Sequence, residues 1–178
     1  VAVVPYGRGN CLHGIKLGGS GDVTATHRLW KRSDTGSFVP TPAECGGKVY
    51  LLRDRGEVEC LDPATGRTLW SGALPKSTSN YYASPAVADG KLYAAREDGV
   101  VFVARATGEF AVLAENRMGE RVIASPVPVA NRLLNLLGQF QEPNQVGDGR
   151  PVEPQPAGQF FLRAAVLIEV FLERRGLF

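Results

Sequence analysis

The chain repeats itself, and this repeat constrains its fold more than any other feature. A hydroxyl residue followed by proline recurs at Pro42, Pro85 and Pro126, at spacings of 43 and 41 residues. The tyrosines of "KVY" and "KLY", Tyr50 and Tyr93, are also 43 residues apart. A sequence with a fixed period of about 40 residues folds as an array of similar units, each packed on its neighbours. We therefore divide the repeating part into units at 1–37, 38–81, 82–120 and 121–137.

Each unit contains short apolar runs separated by glycine-rich turns, which is typical of a small antiparallel sheet. Asp89-Gly90, for example, is a favourable type I′ hairpin turn. The predicted strands span 48–53, 58–61 and 67–71 in the second unit, and 83–88, 91–96, 100–103 and 109–113 in the third. Short strands repeated in this way are the pattern of β-propeller blades. The sequence predicts an all-β partial β-propeller of four-stranded antiparallel blades, about two of them full and two partial.

The second unit holds the most specific local motif, "CLDPATGRTLW". Its Asp62, Thr65, Gly66 and Trp70 match the pattern A-x-D-x-x-T-G-x-x-x-W, with cysteine in place of the first alanine. Short polar side chains can bond turn N–H groups, and glycine allows a left-handed turn. A tryptophan at the end of the outer strand has a large area to bury between blades. Trp30, 40 residues before Trp70, is predicted to play the same part in the preceding blade.

This motif resembles the tryptophan-docking motif of pyrroloquinoline-quinone-type propeller repeats, and the resemblance covers residues 1–137. It extends to the non-enzymatic branch related to the lipoprotein of the outer-membrane β-barrel assembly machinery, and it is similar to bacterial, planctomycete-type members. The resemblance implies a quinoprotein-like propeller in the periplasm or another extracytoplasmic compartment. It implies no catalytic role, and no signal segment is visible in this chain.

Two classes of function follow from the resemblance. The first is a non-catalytic module that binds proteins or supports their assembly. The alternative is a fragment of a pyrroloquinoline-quinone-dependent dehydrogenase whose active-site residues lie outside this chain. Enzymes of that family carry adjacent cysteines over the quinone and acidic groups around Ca²⁺, whereas no two cysteines here are adjacent. We therefore predict a non-enzyme without a cofactor, and we assign no catalytic, cofactor-binding or metal-binding residue.

The charge pattern favours protein partners. The net charge of +2 is too small to indicate nucleic acid or a membrane surface as the partner. One charged cluster, Arg53, Asp54, Arg55 and Glu57, lies in a predicted blade turn. Its simplest interpretation is a solvated rim of mutually paired charges, and the functional alternative is a partner-binding rim.

Other candidate chemistry is sparse. Cys11, Cys45 and Cys60 have no metal-type spacing. Cys45 and Cys60 could approach each other across one blade, although buried free thiols are the favoured interpretation. His13 and His27 are expected at blade surfaces. "GGSGDV" (residues 18–23) departs from the calcium-binding nonapeptide and is expected to be a glycine-rich turn.

Length predicts that the chain is part of a larger propeller. Closed propellers of this type carry seven or eight blades, whereas 178 residues supply about four. The expected partner is therefore another protein or the missing blades of the same propeller.

The repeat is lost after Leu134. Residues 138–159 are rich in Pro, Gln and Gly, which predicts a linker. Residues 160–175 have a helical apolar stripe too short for a membrane span, which predicts an amphipathic helix. Three interpretations of this tail stay open: an out-of-frame terminus, which the loss of the repeat in mid-blade favours, a helix docked on the open propeller face, or an interfacial anchor.

Overall fold

The computed structural model describes residues 1–6, 10–129, 132–135 and 166–169. These residues form four antiparallel sheets in chain order. The first sheet contains β1 (Ala2–Pro5), β2 (Leu12–Ile15) and β3 (Arg28–Arg32), and the second contains β4 (Ala43–Cys45), β5 (Lys48–Leu52), β6 (Glu57–Leu61) and β7 (Thr68–Ala73). The third contains β8 (Ala86–Ala88), β9 (Lys91–Ala95), β10 (Val100–Arg105) and β11 (Val112–Arg117), and the fourth contains β12 (Val127–Val129), β13 (Arg132–Asn135) and β14 (Val166–Glu169). A single helical turn, α1 (Thr24–His27), precedes β3.

Each sheet meanders, so strands that follow each other in the chain lie side by side. In the second, third and fourth sheets the first strand lies at one edge. These edge strands are neighbours, because β4 lies beside β8 and β8 lies beside β12. We call β4, β8 and β12 the inner strands and β3, β7 and β11 the outer strands. The predicted partial propeller of antiparallel blades is confirmed.

The middle strands of the second sheet, β5 and β6, are apolar on both sides because the first sheet covers one face and the third sheet covers the other. Tyr50 and Leu52 of β5 pack toward the third sheet, in a core that also contains Leu92 and Phe102. Their neighbours along the same strand, including Leu51, lie in a second core shared with the first sheet. A continuous apolar run bounded by turns is what a fully buried strand requires.

The outer strand of the third sheet differs from its predicted position. It was expected at 109–113 and is found at Val112–Arg117. The preceding turn is longer than the repeat pattern suggested, because the N–H of Arg105 donates to the carbonyl of Ala111 at 2.7 Å. A register shift between Val103 and Ala104 accompanies this turn. The predicted hairpin at Asp89-Gly90 is present, with φ values of 51° and 69°.

The predicted C-terminal helix is wrong where the structure describes it. Val166–Glu169 is a strand that pairs antiparallel with β13, from Val166 opposite Asn135 to Glu169 opposite Arg132. Val and Ile have high strand propensity, and β13 offers an edge of backbone donors and acceptors that a helix could not satisfy. The predicted linker at 138–159 and the remainder of the predicted helix lie outside the described residues.

Candidate functional site

Trp30 connects the first sheet to the second. Its ring lies over Gly14 in its own sheet and over Gly66 in the next, where a Cβ built on the glycine would be 2.5 Å from Cδ2 of Trp30. The indole Nε1–H donates to the carbonyl of Pro63 at 2.9 Å. Gly66 has a φ of 70°, so the turn needs glycine both for its backbone and for the space that the ring occupies. The tryptophan thus docks on the TG turn of the following blade.

The turn that receives Trp30 is built by Asp62 and Thr65. The Asp62 carboxylate accepts hydrogen bonds from the N–H of Ala64 at 2.8 Å and from the Thr65 hydroxyl at 2.9 Å. The N–H of Gly66 donates to the Asp62 carbonyl. The bond from the Ala64 N–H is the main cause that lowers the pKa of the Asp62 carboxyl. Asp62 and Thr65 therefore shape the turn on which the tryptophan rests.

Trp70 packs differently from Trp30. It is half-buried, with its ring centroid 6.0 Å from that of Tyr50 and 5.6 Å from that of Phe110. Phe110 in turn lies on the backbone of Gly72. Gly108, which corresponds to Gly66, has no atom of the described residues within 4 Å of the position of a Cβ. The second junction is thus filled by an aromatic pair, and Phe110 is a residue that the sequence motif did not reveal.

A polar network crosses the first junction beside Trp30. Arg32 Nη1 donates to Glu59 Oε2 at 3.1 Å and to the Thr68 hydroxyl at 2.8 Å. The Thr68 hydroxyl and the Thr35 hydroxyl both donate to the Glu59 carboxylate. The Arg32 and Glu59 side chains are 19% and 13% exposed, so this ion pair is largely desolvated. Asp34 completes the network, and its hydrogen bond from Arg32 lowers the pKa of the Asp34 carboxyl.

Three of the four predicted rim residues hold neighbouring loops through their side chains, whereas Arg53 and Glu57 meet through a backbone hydrogen bond. Arg53 Nη2 donates to Asn10 Oδ1 at 2.8 Å, and Arg55 Nη1 donates to the carbonyl of Thr78 at 3.2 Å. Glu57 is exposed at the start of β6. Within residues 1–6 and 10–129 no ion pair joins any two of Arg53, Asp54, Arg55 and Glu57.

Asp54 holds the backbone of the connection that leads from the first sheet into the second. Its carboxylate accepts the backbone N–H groups of Phe38 at 2.9 Å and Val39 at 3.1 Å. Glu97, 43 residues later, repeats this role by accepting the N–H of Asn80 at 2.9 Å. In both blades an acidic side chain in the turn between the second and third strands fixes the connection that enters the blade. We call the end of the sheets where these turns and connections meet the loop face.

The loop face carries apolar residues at equivalent repeat positions. Val39, Tyr82 and Ile123 follow one another at spacings of 43 and 41 residues, each two residues before the repeated hydroxyl residue. Val39 is 41% exposed, Ile123 is 39% exposed and Tyr82 is half-buried. Phe38, beside Val39, is 53% exposed. Three of them thus occupy equivalent positions just before successive inner strands, and together with Phe38 we call them the apolar arc.

The inner strands are joined by a ladder of hydroxyl groups. The N–H of Thr41 donates to the Ser84 hydroxyl at 2.9 Å, and the N–H of Ser84 donates to the Ser125 hydroxyl at 3.1 Å. The repeated hydroxyl–proline pair therefore has a structural explanation: the hydroxyl residue two positions before one inner strand donates its backbone N–H to the hydroxyl of the equivalent residue before the next. We call this arrangement the hydroxyl ladder.

The remaining candidate groups are dispersed. Cys11, Cys45 and Cys60 are free thiols, and burial raises the pKa of the Cys60 thiol. Cys11 Sγ lies 3.5 Å from His13 Nε2, and His27 Nδ1 lies 2.8 Å from the Thr26 hydroxyl. Among the described residues there is no group of three or more His, Cys, Asp or Glu side chains that could hold a metal ion.

The glycine-rich segment before α1 forms a loop between β2 and β3. Gly18, Gly19 and Gly21 adopt positive φ angles. Asp22 accepts the N–H of Thr24 at 2.9 Å, so its carboxylate serves the start of the helical turn.

Antiparallel sheets stacked face to face, with inner strands adjacent and tryptophans docked between them, define blades of a β-propeller. The family is identified by a family model that matches the repeats. The chain belongs to the family described as outer membrane protein assembly factor BamB, whose family model matches residues 19–132.

Two solved structures with TM-scores above 0.5 share this fold, and a third is similar at a lower score. BamB from Moraxella catarrhalis superposes with a TM-score of 0.56 at 18% identity, covering 76% of this chain and 38% of that one. The computationally designed Ika4 protein gives a TM-score of 0.52 at 18% identity, with 76% and 85% covered. A europium-containing methanol dehydrogenase gives 0.49 at 17% identity, with 67% and 23% covered. The chain thus spans well under half of the Moraxella protein.

A comparison with curated proteins found no match to this sequence. Within the described part of the chain, no helix is long and apolar enough to cross a membrane.

Proposed function

We propose that this chain is a non-catalytic β-propeller module that binds other proteins and serves as an assembly scaffold. The observation that carries the proposal is the apolar arc of the loop face, in which exposed Val39 is held by its backbone to Asp54. Apolar side chains on fixed backbone lose little conformational freedom on binding, which is the property of an interface anchor. The family description, an outer membrane protein assembly factor, supports a scaffold over a dehydrogenase.

The rim charges take a supporting part in this function. Asp54 positions Phe38 and Val39, and Arg55 holds the connection that contains Thr78. Arg53 and Glu57 stand beside them as polar groups at the margin of the arc. An apolar centre with a polar rim is the usual anatomy of a protein interface.

The compartment follows from the same family. We propose that the module acts in the periplasm, at the inner side of the outer membrane, where a protein assembly factor would meet its substrates. Its partner is a protein, either a component of the assembly machinery or further blades of the same propeller.

The experiment is a binding measurement with purified outer-membrane β-barrel assembly machinery immobilised on a sensor. The test variant replaces Val39 and Ile123 with serine. The matched control replaces Leu69 and Leu113 with serine, because these outer-strand side chains are each 41% exposed and lie away from the loop face. Removing two interface anchors should weaken binding by about tenfold or more, whereas the control should bind like the parent chain.

Equal losses for the two double variants would contradict the loop-face assignment. Absence of binding by the parent chain would contradict the scaffold function with this machinery.

A further inference from the structure

The outer strands carry the same irregularity in three successive sheets. In β3 the residues on either side of Leu29 pair with consecutive residues of β2, so Leu29 itself has no partner there. Leu69 of β7 and Leu113 of β11 are left out of the register in the same way. An extra residue of this kind is a β-bulge, which redirects a side chain. All three bulged residues are leucine, and each is the second residue of its strand.

The bulged leucines are exposed at the end of the sheets opposite the loop face. The outer strands begin at that end, because each of them finishes at a connection that belongs to the loop face. The exposed fractions of Leu29, Leu69 and Leu113 are 46%, 41% and 41%. The second sheet is packed between the first and the third, so the exposure of Leu69 persists with a sheet on each side. A single exposed leucine needs no explanation, whereas the same exposure at the same bulge in three blades indicates a contact surface.

An exposed arginine accompanies each of these leucines. Arg105, at the end of β10, bonds through its N–H to the carbonyl of Ala111, two residues before the bulge of β11. The other two arginines lie one and two residues before their leucines in the chain. None of the three guanidinium groups forms an ion pair or a side-chain hydrogen bond with the described residues. We call these the Arg–Leu pairs: Arg28 with Leu29, Arg67 with Leu69, and Arg105 with Leu113.

The carboxylates of the same turns decide which class of partner fits. Asp22 accepts the N–H of Thr24, and Asp62 accepts the N–H of Ala64. Glu109 is exposed in the third turn. Because these carboxylates offset the arginines, the described residues at this end carry a smaller excess of basic groups than the cluster of about 4–8 typical of binding to anionic lipid. A protein segment, in contrast, can place one carboxylate on each guanidinium and one apolar side chain on each leucine.

We propose that the Arg–Leu pairs form a second interaction surface, which binds an acidic segment of a partner protein in which carboxylates alternate with apolar side chains. Each arginine binds a carboxylate through its planar fork of N–H groups, and each leucine packs against the neighbouring apolar side chain. Because the pairs recur once per blade, a longer segment engages more than one pair and gains affinity with each. The surface is separate from the apolar arc and does not depend on the binding proposed there.

The test is a fluorescence-anisotropy titration of the whole chain into a labelled synthetic peptide of sequence Asp-Leu-Glu-Leu-Asp-Leu-Glu. Saturable binding that weakens as salt is added is expected. Arg67→Gln should weaken this binding by about two- to fivefold, because it removes one exposed ion pair. Leu69→Ser combined with Leu113→Ser should weaken it by about tenfold, because it removes two apolar contacts. Lys76→Gln is the matched control and should bind like the parent chain, since Lys76 is an exposed cation on the connection between the second and third sheets.

The double variants designed for the loop face separate the two surfaces. Val39→Ser with Ile123→Ser should bind the acidic peptide like the parent chain, so either surface can fail without the other. Circular dichroism of each variant checks that the sheets are retained.

The proposal is overturned if the acidic peptide does not bind, if a peptide with lysine at every acidic position binds equally well, or if Arg67→Gln has no effect. Binding to phosphatidylglycerol vesicles that is tighter than binding to the peptide would also overturn it, because the partner would then be a membrane surface.

Discussion

Two glycines in equivalent turns allow the energy of tryptophan docking to be measured directly. Gly66 and Gly108 have nearly the same backbone, with φ values of 70° and 71°. They differ in their surroundings: the Trp30 ring covers Gly66, whereas none of the residues described by the structure lies within 4 Å of a Cβ placed on Gly108. Alanine at either position bears the strain of the left-handed conformation, and only alanine at Gly66 also collides with an aromatic ring.

The magnitudes follow from these two terms. Left-handed strain costs about 1–2 kcal/mol, partly offset by the lower unfolded-state entropy of alanine, so Gly108→Ala should destabilise the chain by about 1 kcal/mol. Overpacking adds about 1–3 kcal/mol, so Gly66→Ala should cost about 2–4 kcal/mol. In a chain that already carries Trp30→Ala, the cost of Gly66→Ala should fall to that of Gly108→Ala.

The assay is urea denaturation followed by tryptophan fluorescence, because Trp30 and Trp70 both lie at sheet junctions. Circular dichroism of the same samples checks that the sheets are retained. Equal destabilisation by Gly66→Ala and Gly108→Ala, or an unchanged cost of Gly66→Ala without Trp30, would show that docking on this turn contributes nothing.

Four further outcomes are expected. The hydrogen bond from Arg96 lowers the pKa of the Asp98 carboxyl. The stabilisation that this ion pair gives the folded chain is therefore present above the ordinary pKa of aspartate and is lost as pH falls through the lowered pKa. Asp98→Asn should reduce this loss of stability at acid pH, measured by urea titrations at several pH values. Burial raises the pKa of Tyr81 to about 12, and its hydroxyl has no hydrogen-bond partner among the described residues; Tyr81→Phe should therefore leave the urea midpoint unchanged or raise it. Asp54→Ala should speed hydrogen exchange at the amides of Phe38 and Val39, while exchange within β9 stays slow. Equilibrium dialysis with Ca²⁺ should detect no stoichiometric binding of pyrroloquinoline quinone, and such binding would instead support the dehydrogenase alternative.

The repeat made the sheets predictable because turns and strands are encoded locally. The dipeptide Asp89-Gly90 is enough to predict a hairpin turn. The apolar run at 100–103 likewise predicts a strand from residues that are consecutive in the chain. The junctions are different because they are made between residues far apart in sequence. Arg32 meets Glu59 across 27 residues, and Phe110 meets Gly72 across 38, and neither pair stands in a recognised motif.

The C-terminal segment shows a second limit of sequence reasoning. Residues 160–175 have the apolar spacing of a helix, yet Val166–Glu169 forms a strand. A strand of four residues is specified by the edge that it joins, here β13, and that edge is not visible in the segment's own sequence. The charged cluster drew attention to the turn that contains Asp54, and its part in binding stays a prediction. The exposed residues that Asp54 positions, Phe38 and Val39, were not singled out from the sequence.

The hydroxyl ladder has a consequence for how propellers of this kind change in size. Each rung runs from the backbone N–H of one hydroxyl residue to the hydroxyl of the next, so Ser84 is both acceptor and donor. A duplication or deletion of a whole number of units keeps one hydroxyl–proline pair in each blade, wherever in the unit it begins. An event of any other length places a different residue at a rung and breaks the hydrogen bonds made there. Ring size in such a lineage should therefore change by whole multiples of the 41- to 43-residue unit.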